Sequence, residues 1–167
     1  MKKITIITAS SGKNLELGQK FQRELNALHI ESKILNLVDL DLPLYSTVAE
    51  TKYNAADLVG PFQEDLDVDA FIFVAPEYNG GLPPVLNNFL SWVSRSTKDW
   101  RQTFNRKPAL ISTASGGGGL QALIILRLQL SFIGMNVYGR QLISTFSKPA
   151  EDKEINTITN EFFESLK

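Results

Sequence analysis

An α/β fold, a parallel sheet with helices on both faces, is predicted by three observations. Short runs of β-branched and aromatic residues alternate with segments whose apolar residues recur every three or four positions. The strand-like runs are apolar almost throughout, as in strands covered on both faces. Glycines gather just after strand ends, where Gly12, Gly80, Gly81, Gly116, Gly117, Gly118 and Gly119 make up most of the chain's 11. Such alternation implies βαβ units joined by right-handed crossovers.

The elements follow in order. Ile4–Thr8 is a β-branched first strand, and after a polar stretch the apolar residues Leu15, Phe21, Leu25 and Leu28 mark an amphipathic helix ending near His29. Ser32–Leu37 is the second strand; the Asp- and Pro-bearing segment from Val38 to Tyr45 reads as a loop leaving its end, with one short helix before Asp67. Ala70–Ala75 is the clearest strand, placed at the sheet centre and halted by Pro76. Pro83-Pro84 opens a helix whose stripe of Val85, Phe89, Leu90 and Val93 ends near Ser94, since a missing N–H does no harm in a first turn. Ala109–Thr113 is the fourth strand, Leu120–Phe132 a helix stopped by Gly134, Val137–Ile143 the fifth strand. From Glu151 to Lys167 the spacing of Ile155, Ile158, Phe162, Phe163 and Leu166 predicts a closing helix.

With 167 residues, 43% hydrophobic and 21% charged, one domain over 1–167 is expected. Lys plus Arg number 17 against 18 for Asp plus Glu, leaving no positive excess for a nucleic-acid backbone or an anionic membrane. Cysteine is absent and histidine occurs once, so disulfides, thiolate chemistry and zinc clusters are excluded. The apolar run from Leu120 to Leu130 is interrupted by Gln121, Arg127 and Gln129, too polar to span about 30 Å of hydrocarbon. Met1-Lys2-Lys3 passes directly into a strand without a secretion-signal core, so a cytoplasmic location is expected.

In a parallel α/β sheet, ligands sit beyond the carboxyl ends of the strands, and three loops lie there: Ala9–Asn14, Pro76–Gly81 and Ser112–Gly119. The first offers Ser10, Ser11, Lys13 and Asn14 just before a helix, where free N–H groups favour a phosphate; the same residues could simply cap the helix. Neither a Walker lysine pattern nor a dinucleotide glycine fingerprint is present, so a mononucleotide phosphate fits better. The second loop, Pro76-Glu77-Tyr78-Asn79-Gly80-Gly81, sets an aromatic ring beside an amide and two glycines, and also reads as a solvated turn. The third, with four consecutive glycines, can present backbone N–H groups to a flat ligand or serve as a flexible connection.

The segment Pro76-Glu77-Tyr78-Asn79-Gly80-Gly81-Leu82-Pro83-Pro84-Val85-Leu86-Asn87-Asn88-Phe89-Leu90-Ser91-Trp92 resembles the Pro-Glu-Tyr-Asn signature, helix and tryptophan of NADPH-dependent FMN reductases. The resemblance extends to Asp41-Leu42-Pro43-Leu44-Tyr45, to Lys107-Pro108 and to Ser112-Thr113-Ala114-Ser115-Gly116-Gly117. It implies a flavodoxin-like fold with strand order 2-1-3-4-5, non-covalent FMN, NADPH or NADH as hydride donor, and reduction of flavin, quinone or azo acceptors. It also implies a homodimer or homotetramer. Carried over by position, Ser10, Ser11, Lys13 and Asn14 are implied at the FMN phosphate; Pro76, Glu77, Tyr78, Asn79 and Gly80 along the isoalloxazine edge; Ser115, Gly116 and Gly117 on its pyrimidine side. The first loop is shorter than the family's and carries Lys13 in place of an arginine, nearer in look to the Thr-Gly-Asn-Thr loops of flavodoxins, which leaves the choice between NADPH and NADH open.

No acid–base residue is required, because the flavin carries the redox chemistry; nicotinamide and acceptor are expected to use one slot in turn. The alternative is a flavodoxin-like electron carrier or an FMN-binding protein that never meets a nicotinamide. Carriers that dock on redox partners are usually strongly acidic, and a net charge of -1 speaks against one. His29 reads as an exposed helix-end residue, and Asp39, Asp41, Asp65, Asp67 and Asp69 as solvated surface rather than a metal site. Trp92, Trp100 and Phe104 are expected at a subunit interface, formed by the helix Pro83–Ser94 and the segment after it.

Overall fold

The computed structural model describes residues 2–166. Five strands, β1 (Lys3–Thr8), β2 (Glu31–Asn36), β3 (Ala70–Val74), β4 (Pro108–Ala114) and β5 (Asn136–Ser144), form one parallel sheet in the order β2-β1-β3-β4-β5. β3, apolar at every position, lies at its centre and is buried along its whole length. Its alternate residues serve two cores. Phe71 and Phe73 face the helices α4 (Pro84–Arg95) and α5 (Leu120–Phe132), while Ala70, Ile72 and Val74 face α1 (Lys13–Ala27) and α6 (Asp152–Glu164). A strand with two apolar faces thus obtains cover from both sides, as a parallel sheet requires.

Strand order and element types agree with the expectation; the differences are local and have local causes. β2 ends at Asn36, one residue early, because Leu37–Leu40 closes into a 3₁₀ turn. Between β2 and β3 there are two short helices, α2 (Ala55–Val59) and α3 (Gln63–Leu66), where one was expected. Asn54 starts α2 by accepting the Ala56 N–H at 2.9 Å, and Gly60-Pro61 converts the chain to a 3₁₀ turn before α3 begins. α6 opens on a capping box between Glu151 and Glu154. The expected end of that helix at Lys167 lies outside the described residues.

His29 is exposed, as expected, and closes α1 with its backbone. It takes a left-handed φ of 58°, its N–H donates to the Asn26 carbonyl, and Ile30 donates to Leu25, each at 3.0 Å. Asp65 departs from the solvated-surface reading: it is buried and pairs with the Lys33 ammonium at 2.5 Å, which raises the pKa of Lys33.

The aromatic residues expected at a subunit interface are divided by the structure. Trp92 is 0% exposed and Phe104 is buried, both within the core under α4. The Trp92 indole donates to the Pro43 carbonyl at 2.7 Å and meets Tyr45 edge-on at 5.2 Å. α4 therefore spends its aromatics on holding the loop after β2, and Asn88 on the same helix assists. Its amide accepts the Tyr45 N–H at 2.7 Å and donates to the carbonyls of Leu42 and Pro43. Trp100 alone stays partly exposed, stacked on Phe132 of α5 at 5.6 Å with the Arg101 guanidinium over both rings.

Gly18 lets α1 lie directly on β1. A Cβ at this position would stand 2.6 Å from the Thr8 methyl group and 3.4 Å from that of Ile6. Gly18→Ala is therefore expected to lower stability, since overpacking costs about 1–3 kcal/mol and improved helix propensity returns less than about 1 kcal/mol. Urea unfolding of the two proteins measures it; an alanine variant as stable as wild type would show that α1 can lift off the sheet freely.

Candidate functional site

The parallel sheet carries the loops after β1, β3 and β4 to one edge, and two side chains tie them together there. The first link is Asn14. Its Oδ1 accepts the Ala114 N–H at 2.8 Å and its Nδ2 donates to the Ala114 carbonyl at 2.9 Å, joining the first turn of α1 to the start of the third loop. The second is Glu77, whose Oε2 accepts the Ala122 N–H at 3.3 Å in the first turn of α5. α5 has no side-chain cap of its own, so the carboxylate serves the helix dipole from a different loop.

In the first loop, Gly12 is the N-cap of α1, and no side chain caps the helix. Ser10 and Ser11 are thus not helix caps; Ser11 accepts a hydrogen bond from Asn36 at 3.4 Å, and Asn36 in turn holds Thr8 and Asp39. Asn36 was not singled out from the sequence, although its position at the end of β2 beside a strand-end loop is a usable signal. Lys13 is exposed and pairs with Glu16 at 2.8 Å. Asn14, in contrast, is buried, and both ends of its amide face Ala114. What this residue offers to an anion above the helix is chiefly its backbone N–H.

The second loop leaves β3 at the buried Pro76 and folds back on itself. Tyr78 and Gly81 exchange backbone bonds of 3.0 and 2.9 Å, while Asn79 and Gly80 between them have φ of 52° and 74°. Two positive φ values make this the tight turn that Asn-Gly favours. The turn leaves the Tyr78 ring half exposed at the sheet edge.

The third loop starts with Ser115, whose N–H donates to the Ser144 carbonyl at 2.9 Å. Gly116 passes beneath the exposed Phe146 ring, so closely that a Cβ would come within 2.7 Å of it. Gly117 faces the Glu77 carboxylate, and Gly119 is left-handed at φ 73°, with the Thr113 methyl group where a Cβ would go. The loop's glycines are therefore required by close approach at Gly116 and by backbone conformation at Gly119. Phe146 and the segment Ser144–Ala150 escaped the sequence reading, although they too follow a strand end. They border a cavity of about 320 Å³ that includes Lys13, Lys20, Ser115 and Gly116. Beside it the Lys20 ammonium, 2.7 Å from Asp152, holds that carboxyl below its ordinary pKa.

The residues expected around an FMN lie on the three loops at the carboxyl ends of β1, β3 and β4, with Lys13, Ser115 and Gly116 lining the cavity, and their chemistry suits the three parts of such a molecule. An uncapped helix start with two hydroxyls and an ammonium suits a phosphate. An exposed tyrosine ring on a rigid turn suits a flat heterocycle edge, and a glycine loop with open N–H groups suits its polar rim.

Residues 2–148 match the family described as NADPH-dependent FMN reductase. Among relatives, the chain is 29% identical over 150 residues to a probable NADPH:quinone oxidoreductase 2 of Oryza sativa, covering 87% of this chain and 72% of that one. It is 32% identical over 130 residues to an NADPH:quinone oxidoreductase of Arabidopsis thaliana, covering 72% of this chain and 63% of that one. Among solved structures it is similar to FerB, a flavoenzyme NAD(P)H:(acceptor) oxidoreductase from Paracoccus denitrificans. That match has a TM-score of 0.79 and 19% identity over 99% of this chain and 97% of the other.

Proposed function

Because the chain belongs to the NADPH-dependent FMN reductase family, and is thus an NAD(P)H-dependent flavin oxidoreductase, we propose that the three linked loops are its FMN site. Ser10, Ser11, Lys13 and the N–H groups opening α1 hold the phosphate. Pro76, Glu77, Tyr78, Asn79 and Gly80 form the wall along the isoalloxazine edge, and Ser115, with the N–H groups of Gly116 and Gly117, lies on its pyrimidine side. The observation that carries this reading is the pair of side-chain links, Asn14 to Ala114 and Glu77 to Ala122, which hold all three loops in one assembly.

FMN, when bound, supplies the chemistry of accepting hydride from a nicotinamide and passing electrons on to a quinone, azo or flavin acceptor. The protein's part is to position. The turn at Asn79-Gly80 fixes Tyr78, the glycine loop would bring backbone up to the flavin with Phe146 over Gly116, and Glu77 is engaged by α5 rather than presented to a substrate. With one slot for donor and acceptor, the two bind in turn.

The exposed side of α5 supports a homodimer. Leu120, Ile124, Leu128 and Phe132 recur every fourth residue and all are exposed, so the helix is apolar on its outer side as well as its inner one. A helix with apolar stripes on opposite sides needs cover on both, and a second copy placed by a two-fold axis supplies it with the same stripe. Among the described residues, no helix is long and apolar enough to cross a membrane. We place the enzyme in the cytoplasm, where the NAD(P)H pool lies.

Anaerobic titration of the FMN-loaded protein with NADH and with NADPH tests the reading. The expected result is bleaching of the flavin band by at least one nucleotide, its return on adding 1,4-benzoquinone, and parallel lines in steady-state double-reciprocal plots. A flavin that binds but is not bleached, with negligible nucleotide consumption in the presence of quinone, would identify an electron carrier instead.

A further inference from the structure

We infer that Asn14 is a positioning residue for the ring-side loop, acting through Ala114, so that the phosphate end and the ring end of the flavin site are built as one unit; this rests on the FMN reading above. The reason lies in how β3 and β4 part. The final bond between them is Ala75 N–H to the Ser112 carbonyl at 3.1 Å, just past the end of β3, and the next residue is Pro76, which has no N–H to offer. β4 continues for two more residues, and the N–H and C=O of Ala114 on that side have lost their strand neighbour. A carboxamide carries the same donor and acceptor as a peptide group. Asn14 places its own there, 100 residues away in sequence, with bonds of 2.8 and 2.9 Å, and so substitutes for the missing strand.

The consequence falls on Ser115–Gly119. Four of these five residues are glycine, the residue with the largest backbone freedom to lose, and the fifth, Ser115, has only a short hydroxymethyl side chain. Its conformation is set from outside: by Asn14 on Ala114, by the Ser144 carbonyl on Ser115, and by Glu77 on the first turn of α5. Removing the Asn14 amide leaves two Ala114 backbone groups unpaired, and the N–H groups that follow lose their fixed directions.

FMN and riboflavin separate this role from simple phosphate binding, because riboflavin lacks the phosphate and keeps the ring. Both are titrated by fluorescence quenching into wild type, Lys13→Ala, Asn14→Ala and Asn14→Asp. Lys13→Ala should weaken FMN several-fold and leave riboflavin at the wild-type value. Asn14→Ala should weaken both ligands, each by roughly tenfold. At saturating FMN its bound flavin should also show a visible band and residual fluorescence shifted towards those of free flavin. Asn14→Asp keeps an acceptor for the Ala114 N–H and sets a carboxylate against the Ala114 carbonyl. It decides the matter if the alanine variant does not fold, and should again lower riboflavin affinity and alter the bound-flavin spectrum. Asn14 variants that lose only FMN affinity, with riboflavin binding and the bound-flavin spectrum unchanged, would overturn the inference. Wild-type protein that binds neither flavin would instead overturn the FMN reading itself.

Discussion

Replacing Trp92 by alanine will lower the free energy of unfolding by roughly 3–5 kcal/mol, a large share of the ~5–15 kcal/mol that holds a domain of ordinary stability together. The side chain is completely enclosed, packs edge-on against Tyr45 at 5.2 Å and Tyr53 at 6.4 Å, and donates to the Pro43 carbonyl. Alanine leaves a cavity that α4 and the sheet cannot close, and the Pro43 carbonyl keeps only its bond from Asn88. Trp92→Phe fills part of the volume without the indole N–H and should fall between the two. Chemical denaturation followed by circular dichroism measures both variants. A Trp92→Ala protein that keeps its unfolding midpoint but changes its sedimentation would place the residue at a subunit boundary and contradict the core described above.

A change on the outer side of α5 will act in the opposite way, on association and not on folding. Leu128 is 67% exposed and Phe132 68%, in line with Leu120 and Ile124. Burying such side chains against a second copy gains about 1.5–3 kcal/mol apiece. Ile124→Glu combined with Leu128→Lys removes two of them, and spaces the new charges as a favourable i, i+4 pair that does not penalise the helix. The double variant should weaken dimerisation by at least about a hundredfold, two buried side chains being worth that much or more, while its unfolding curve as a monomer stays close to wild type. Sedimentation at micromolar concentration with FMN present gives the answer. Wild type should exceed the 18.6 kDa of one chain and the variant should return to it; a wild-type protein already at 18.6 kDa would remove the proposed interface.

These two helices show where sequence reading succeeds and where it stops. The stripe of Val85, Phe89, Leu90 and Val93 was enough to place α4 against the sheet, because a helix repeats its faces every 3.6 residues and the pattern is local. Trp92 lies next to that stripe, and its destination depends on the loop Asp41–Tyr45, some fifty residues earlier, folding over the helix. Without the position of that loop, the sequence points Trp92 to a subunit interface. α5 is the converse case: the sequence predicts a helix over Leu120–Phe132 stopped by Gly134, yet only the assembled sheet shows which of its apolar residues remain without cover. The segment between β2 and β3 was poorly legible because its helices are a few residues long, too short for a period to repeat.

From its sequence alone, the protein is determined as five strands alternating with helices, apolar on both strand faces, with glycine-rich loops after β1, β3 and β4 at one edge. These follow from local periodicity and from the rule that parallel crossovers carry strand ends to the same side. The tertiary structure alone decides what the polar residues in those loops hold. Asn14 reads in the chain as a phosphate contact or a helix cap, and becomes a substitute for a strand only because β3 stops before Pro76 while β4 runs on to Ala114. Glu77 reads as part of a turn and becomes the cap of α5. A polar side chain is directed by whichever backbone group lacks a partner within reach, and that deficit arises only once distant strands and helices have been brought together.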